Sequence, residues 1–246
     1  MAIALNEVTN IRTSRTRGGW AARVALARMD LFNGLPDTDL ALLENRLPMV
    51  RWPKGAEVPA PLTRADHLFV VREGRIALFQ STEDGAELMT SILDEGSVYS
   101  TLGMDREPVV MALEDSAVSP LSGRAIEGLI ARYPRLGRNI ATVLSERITG
   151  LSETIALVSE MRVEDRLRAR LHQLADRFGV TATDGVQLRL ELTHAQWASL
   201  VGASREAVTT AFSKLRAAEE IVTDGRAIMI PWAAMPTILP ETTAAA

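Results

Sequence analysis

The side chains best suited to bind a partner lie at the start of a helical pattern near the C-terminus. Ser204, a residue type that often caps helices, precedes Arg205 and Glu206, and Thr209 follows one turn later. When the first turn of a helix enters the major groove of DNA, an arginine can donate two hydrogen bonds to guanine and a glutamate can accept one from cytosine. These residue types at this position therefore predict base recognition.

Two short helices and a turn must position these side chains. Thr193 followed by Gln196 is a capping box, so a first helix is predicted to begin there and to end at Gly202, where glycine permits a tight turn. The second helix carries its apolar residues on one stripe, formed by Val208, Phe212 and Leu215. Two helices joined by a turn of about three residues make a helix-turn-helix. The alternative is an α-hairpin that only packs a core, but the polar start of the second helix argues against it.

A β-hairpin is predicted directly after the second helix. Residues 221–223 and 226–230 are strand-like, and Asp224-Gly225 between them is a two-residue turn signal. A hairpin in this position is the wing of a winged helix-turn-helix.

The preceding part of the chain contains a β-rich region and a long helix. Between residues 50 and 121, short apolar runs alternate with glycine-containing turn signals, which predicts a compact antiparallel barrel or roll. After Pro134, apolar residues recur at spacings of four and three: Leu144, Ile148, Leu151, Ile155 and Val158. This heptad seam favours a coiled coil that forms a dimer over a helix that packs only within its own domain.

The run from Leu192 to Ile230 resembles the C-terminal domain of the CRP/FNR family, because helix, turn, Ser-Arg-Glu box, second helix and wing occur in order. The resemblance extends over about residues 25–231. It implies an α+β fold with an N-terminal β-roll like that of cyclic-nucleotide-binding domains, a long dimerisation helix and a C-terminal winged helix-turn-helix. The expected segments are a flexible basic arm at 1–24, the roll with flanking helices at 25–134, the dimerisation helix at 135–161 and the DNA-binding domain at 162–246.

The same resemblance implies a homodimeric transcription regulator that binds a palindromic operator on double-stranded DNA, with RNA polymerase as a further partner. Arg205 and Glu206 match the family's base-reading pair, and Thr210 replaces a third reader that is often arginine. Together with Thr209, these are the expected base-reading residues. The residues expected to contact phosphate or to cap helices are Thr193, His194, Ser204 and Arg226.

The effector site expected from the resemblance departs from the family pattern. Relatives that bind cyclic AMP carry Gly-Glu and Arg-Ser pairs, whereas this chain has Ser100-Thr101 and Arg106-Glu107 at about those places. The residues that align with ligand-contacting positions are Ser100, Thr101, Arg106, Arg147 and Ser152. Three alternatives stay open for the roll: cyclic AMP, another small effector, or no ligand.

Composition narrows the function classes. The 246 residues include no cysteine, so a disulfide framework or an iron–sulfur cluster is excluded, and the three histidines lack metal-ligand spacing, so no metal is expected. A formal net charge of −4 argues against purely electrostatic DNA binding. No catalytic motif and no apolar run long enough to span a membrane occurs, so we expect a cytoplasmic protein that is not an enzyme. The alternative function is a cyclic-nucleotide-binding module that acts through protein partners.

Overall fold

The computed structural model describes residue 26 and residues 29–58, 66–81, 85, 87–101, 108–160 and 162–235. The side chains of Arg147 and of residues 153–160 are outside this description. The chain divides into two compact units, Met1–Ile155 and Ala156–Ala246, which we call unit 1 and unit 2.

The described residues of unit 1 form seven strands, with helices before and after them in sequence, and the last of these helices runs past Ile155. A short 3-10 helix, Asp30–Phe32, precedes α1. The strands and helices are α1 (Asp37–Arg46), β1 (Val50–Trp52), β2 (His67–Glu73), β3 (Ile76–Ser81), β4 (Glu87–Leu93), β5 (Val98–Ser100), β6 (Val109–Ala112), β7 (Ser116–Ser122), α2 (Gly123–Arg132) and α3 (Pro134–Glu160).

The strands of unit 1 form two antiparallel sheets, with strand orders β1-β7-β2-β5 and β4-β3-β6. The turn from β2 to β3 depends on Gly74, which has a φ of 76°. A Cβ atom at this position would lie 2.4 Å from the carbonyl oxygen of Asp115, so no larger residue fits. The sequence-based prediction of an antiparallel roll is confirmed.

Strand β2 separates two apolar cores, because successive side chains of a strand point to opposite faces. Phe69 stacks on Tyr99 between the two sheets, with ring centroids 4.4 Å apart. Leu68 and Val70 face the other way and pack in a cluster with residues of α1, α2 and α3. Both faces of β2 are covered, which explains its unbroken apolar run.

From Arg162 to Met235, the described residues of unit 2 form three α-helices and a four-stranded antiparallel sheet with strand order β10-β11-β9-β8. Its elements are α4 (Val163–Phe178), β8 (Gly179–Thr181), β9 (Gly185–Leu188), α5 (His194–Val201), α6 (Arg205–Ala217), β10 (Val222–Asp224) and β11 (Ala227–Pro231). Its buried residues include Leu167, Leu171, Trp197, Val208, Phe212 and Leu215. The last three confirm the predicted buried stripe of the second helix.

The turn of the wing lies one residue later than the sequence predicted. Asp224 pairs with Ala227, so the two turn residues are Gly225 and Arg226 rather than Asp224 and Gly225. Gly225 adopts a φ of 58°, which glycine reaches at low cost as the first residue of a two-residue hairpin turn. Arg226 consequently lies at the tip of the wing.

Among the residues with a described structure, no helix combines the length and the apolar character needed to cross a membrane.

Candidate nucleic-acid interface

Local hydrogen bonds fix the first helix of the helix-turn-helix. The hydroxyl of Thr193 accepts a hydrogen bond from the backbone N–H of Gln196 at 3.1 Å, and the Thr193 N–H donates to the Gln196 side chain at 2.8 Å. Helix α5 ends at Gly202, whose φ of 59° and ψ of 54° are left-handed. The capping box and the glycine turn that the sequence predicted are therefore confirmed.

The second helix begins after a three-residue turn and is held against the first. The hydroxyl of Ser204 accepts a hydrogen bond from the Ala207 N–H at 3.2 Å, which makes Ser204 the N-cap of α6. Trp197 of α5 meets Phe212 of α6 edge to face, with ring centroids 5.6 Å apart. Both rings are buried, so the orientation of α6 against α5 is set by apolar packing.

The predicted base-reading residues Arg205, Glu206, Thr209 and Thr210 all lie exposed on α6. The pKa of Glu206 is lowered because its carboxylate accepts hydrogen bonds from its own backbone N–H and from the Ser204 hydroxyl, and the charge of Arg205 adds to this effect. Glu206 is therefore a charged hydrogen-bond acceptor at neutral pH. Its carboxylate turns to the helix cap, a local preference that the sequence analysis did not foresee.

A pair of side chains joins the two helices on the exposed side. Nδ1 of His194, at the start of α5, lies 2.9 Å from the hydroxyl oxygen of Thr209 on α6. The imidazole ring stacks on Phe212 at a centroid distance of 5.1 Å and an interplanar angle of 4°. His194, which is expected to contact phosphate, is thus hydrogen-bonded to Thr209, which is expected to contact a base.

A cleft of about 320 Å³ lies between the start of α5, helix α6 and the wing. Three arginines line it: Arg205, Arg216 and Arg226. The Arg216 guanidinium donates to the hydroxyl of Ser213 at 3.1 Å and to that of Thr223 on the wing at 3.5 Å. A positively charged cleft of this kind can hold a phosphate group.

Sequence reasoning missed Arg216, although a signal for it existed. Arg216 follows Arg205 by eleven residues, which is about three helical turns, and both side chains therefore lie on one side of α6.

The predicted effector residues that the structure describes belong to two parts of unit 1, the end of β5 and helix α3. Thr101 is buried, and its hydroxyl accepts from the backbone N–H of His67 at 3.1 Å, so it ties the end of β5 to β2. Ser100 is half-buried and pairs with Leu68 within the sheet. Ser152 is exposed on α3, where its hydroxyl donates to the carbonyl of Ile148. Arg106 lies outside the described residues, as does the Arg147 side chain.

The predicted dimer seam follows α3. Leu144 and Leu151 are half-buried, and Ile148 is 64% exposed in the single chain. Ile155 and Val158 lie further along α3, where side chains are not described. The predicted basic arm, residues 1–24, also lies outside the described residues.

Comparison with known proteins agrees with this architecture. Residues 165–234 match the Crp-like helix-turn-helix domain family. The chain is 28% identical over 210 residues to the CRP-like cAMP-activated global transcriptional regulator of Mycobacterium tuberculosis, covering 83% of this chain and 93% of that protein. It is 27% identical over 180 residues to the fumarate and nitrate reduction regulatory protein of Vibrio cholerae, covering 72% of each.

Solved structures share the fold. A CooA mutant from Carboxydothermus hydrogenoformans aligns with a TM-score of 0.66 and 22% identity, over 77% of this chain and 85% of that one. The c-di-GMP responsive regulator CLP of Xanthomonas campestris aligns with a TM-score of 0.65 and 20% identity, over 76% of this chain and 95% of that one. Residues 165–234 therefore carry a Crp-like helix-turn-helix DNA-binding domain, the sequence is similar to CRP/FNR-type transcription regulators over most of its length, and the solved structures show the same fold.

Proposed function

We propose that the chain binds a palindromic operator as a homodimer and that Arg205 and Glu206 read its bases in the major groove. The observation that carries this proposal is the first turn of α6, which exposes a guanidinium and a carboxylate while the apolar stripe of the same helix is buried. These two groups supply the donor that guanine needs and the acceptor that cytosine needs. The exposed Thr209 and Thr210 belong to the same reading face.

The backbone contacts of the operator come from the cleft between α6 and the wing. Arg216 and Arg226 provide positive charge there, in a chain whose formal net charge is −4. Thr193 and His194 border the same cleft, which supports the phosphate-contacting role expected for them. Ser204 caps α6 and lies beside the base-reading pair, where its hydroxyl can also contact a phosphate.

Dimerisation through α3 brings together two copies of α6, the recognition helix. The apolar side chain of Ile148 is 64% exposed in the single chain. In the proposed dimer, α3 of a second copy packs against the seam and buries this side chain. A two-fold dimer that lies on one side of B-DNA requires half-sites about 10 to 11 base pairs apart, or a multiple of this. As a regulator of this kind, the protein acts in the cytoplasm and has RNA polymerase as a further partner.

Modulation by a small effector bound in the roll completes the proposal. The relative from Mycobacterium tuberculosis is named as cAMP-activated and the Xanthomonas neighbour as c-di-GMP responsive, which supports a nucleotide effector for the shared fold. The departures at Ser100-Thr101 and Arg106-Glu107 predict that cyclic AMP binds this chain weakly or in an unusual pose.

Selection of bound fragments from random DNA, with and without cyclic nucleotides, tests the proposed function. We expect an enriched imperfect palindrome and a slower-migrating complex in an electrophoretic shift assay. Equal recovery of all sequences would contradict operator recognition. No binding to DNA at all would instead favour a module that acts through protein partners.

A further inference from the structure

The hydroxyl hydrogen of Thr209 is used within the protein. A threonine hydroxyl has one hydrogen to donate. The Thr209 oxygen lies 2.8 Å from the carbonyl oxygen of Arg205, to which it donates, and 2.9 Å from Nδ1 of His194. If His194 carries its proton on Nδ1, the hydroxyl accepts from the ring and donates to the Arg205 carbonyl; in the other tautomer its one hydrogen goes either to the ring or to that carbonyl. In either arrangement the hydroxyl hydrogen stays in the protein and is not available to a base.

Two features orient the His194 ring beside Thr209. Its ring lies nearly parallel to that of Phe212, which is 3% exposed and belongs to the core of unit 2. Its backbone begins α5 directly after the capping box of Thr193. The imidazole therefore connects the start of α5 to the exposed side of α6 through its contacts with Thr209 and Phe212.

Because its hydrogen is used, Thr209 cannot donate to a base, and it presents to the major groove its γ-methyl and one acceptor lone pair of the hydroxyl oxygen. Thr209 is exposed, and its Cβ carries two groups. One is a hydroxyl that already has two protein partners, and the other is an apolar methyl. The hydroxyl of Thr210, its neighbour, also donates to a helix carbonyl, that of Glu206, at 3.0 Å. The base that presents a complementary apolar group in the major groove is thymine, through its C5 methyl.

We propose that His194 positions Thr209 so that its methyl group, not its hydroxyl, selects a thymine in each half-site. This inference rests on the proposed function, because it concerns the same reading face as Arg205 and Glu206. His194 is a positioning residue here, and Thr209 is the residue that determines specificity.

Replacement of thymine by deoxyuridine tests the proposal, because uracil lacks only the methyl group. In the operator obtained by selection, each thymine is replaced in both half-sites together, one position at a time, and affinity is measured for the full-length dimer. We expect one position at which uracil weakens wild-type binding by about fourfold for each half-site. The Thr209→Val variant keeps this loss, since valine keeps the methyl, and the Thr209→Ser variant abolishes it.

His194 is tested by the ratio of affinities for the thymine and uracil operators, which a general loss of phosphate contact does not change. His194→Ala should reduce this ratio towards one, and His194→Asn, whose amide can replace Nδ1, should restore it. Specific operator binding without any methyl-sensitive thymine would overturn the inference alone, as would a preference that survives Thr209→Ser and disappears in Thr209→Val. A protein that prefers no DNA sequence would overturn the proposed function and this inference together.

Discussion

The guanidinium of Arg168 holds the carboxylate of Glu220 through two hydrogen bonds, from Nε at 2.5 Å and from Nη2 at 3.0 Å. Arg168 belongs to α4, and Glu220 follows the C-terminal end of α6, where Glu219 adopts a left-handed φ of 57°. The third nitrogen of Arg168 donates to Asp165 at 2.6 Å. The C-terminal end of α6 is thus held to α4 by this bidentate ion pair, which we call the Arg168–Glu220 fork. Ser204 caps the N-terminal end of α6, which carries the base-reading residues.

Removal of the charge at Glu220 should destabilise unit 2. We expect Glu220→Gln to lower the free energy of unfolding by about 1 to 2 kcal/mol, because a bidentate charged pair is lost from a partly exposed site. The matched control is Lys214→Ala. The Lys214 side chain is 62% exposed and its ammonium pairs with Glu164, so its loss should cost less than about 1 kcal/mol. Urea denaturation measures both values, and equal losses would show that the fork has no special role.

Acidification should weaken unit 2 in two stages. Burial lowers the pKa of His172 from its ordinary value of 6.5, so the unfolded chain takes up a proton at a pH where the folded chain does not. The stabilisation from neutral His172 is complete above about pH 6.5 and declines as the pH falls. The pKa of Glu220 is lowered by hydrogen bonds from Arg168, so its contribution is complete above about pH 4.5 and is lost on further acidification.

Thermal melts between pH 7.5 and pH 3.5 measure this dependence. We expect the melting temperature to fall below pH 6.5 and again below pH 4.5. His172→Gln, which stays neutral throughout, should reduce the first fall and leave the second. An unchanged first fall in this variant would assign it to other groups.

The seam on α3 predicts that one charge disrupts the dimer. Leu151→Asp should weaken self-association by about 100-fold, because a carboxylate would be desolvated between two apolar helices. The control Thr149→Asp places the same charge at an exposed position of α3 away from the seam. Sedimentation at micromolar concentration distinguishes the two variants. A monomeric wild-type protein, or identical behaviour of both variants, would contradict the seam.

Cyclic AMP binding, where it occurs, should depend on Arg106 and Arg147, the residues available to neutralise its phosphate opposite Glu107. Calorimetry should find weak binding that falls by about tenfold or more in Arg106→Ala, since a charged hydrogen bond is lost. Tight binding that persists in this variant would show that the cassette is aligned wrongly.

Local signals predicted the DNA-binding elements well, because caps and turns are set by neighbours in sequence. The Thr193–Gln196 capping box and the left-handed Gly202 follow from adjacent residues alone. The wing turn was shifted by one residue because pairing with the rest of the sheet, including Ile230 with Val186, sets the register of β11. A two-residue signal such as Asp224-Gly225 contains no information on that register.

Side-chain contacts between different helices and strands could not be predicted from the sequence. His194 and Thr209 are fifteen residues apart, and their hydrogen bond depends on how α5 crosses α6. Thr101 was a candidate for effector binding because of its place in the chain, yet its hydroxyl bonds to the backbone of His67 within the roll. In both cases tertiary packing decides what a polar side chain meets.

Base reading by Arg205 is the central claim, and the affinity of Arg205→Ala for the selected operator and for non-specific DNA, measured over a salt series, tests it most directly. Loss of a bidentate guanine contact should cost about 1 to 3 kcal/mol, or about ten- to a hundredfold in operator affinity, with non-specific binding nearly unchanged. The matched control Arg216→Ala, which removes a charge from the cleft, should weaken all sequences about equally and reduce the salt slope by about one. A uniform loss in Arg205→Ala as well, with the same change in salt slope, would make Arg205 a phosphate contact and contradict base reading.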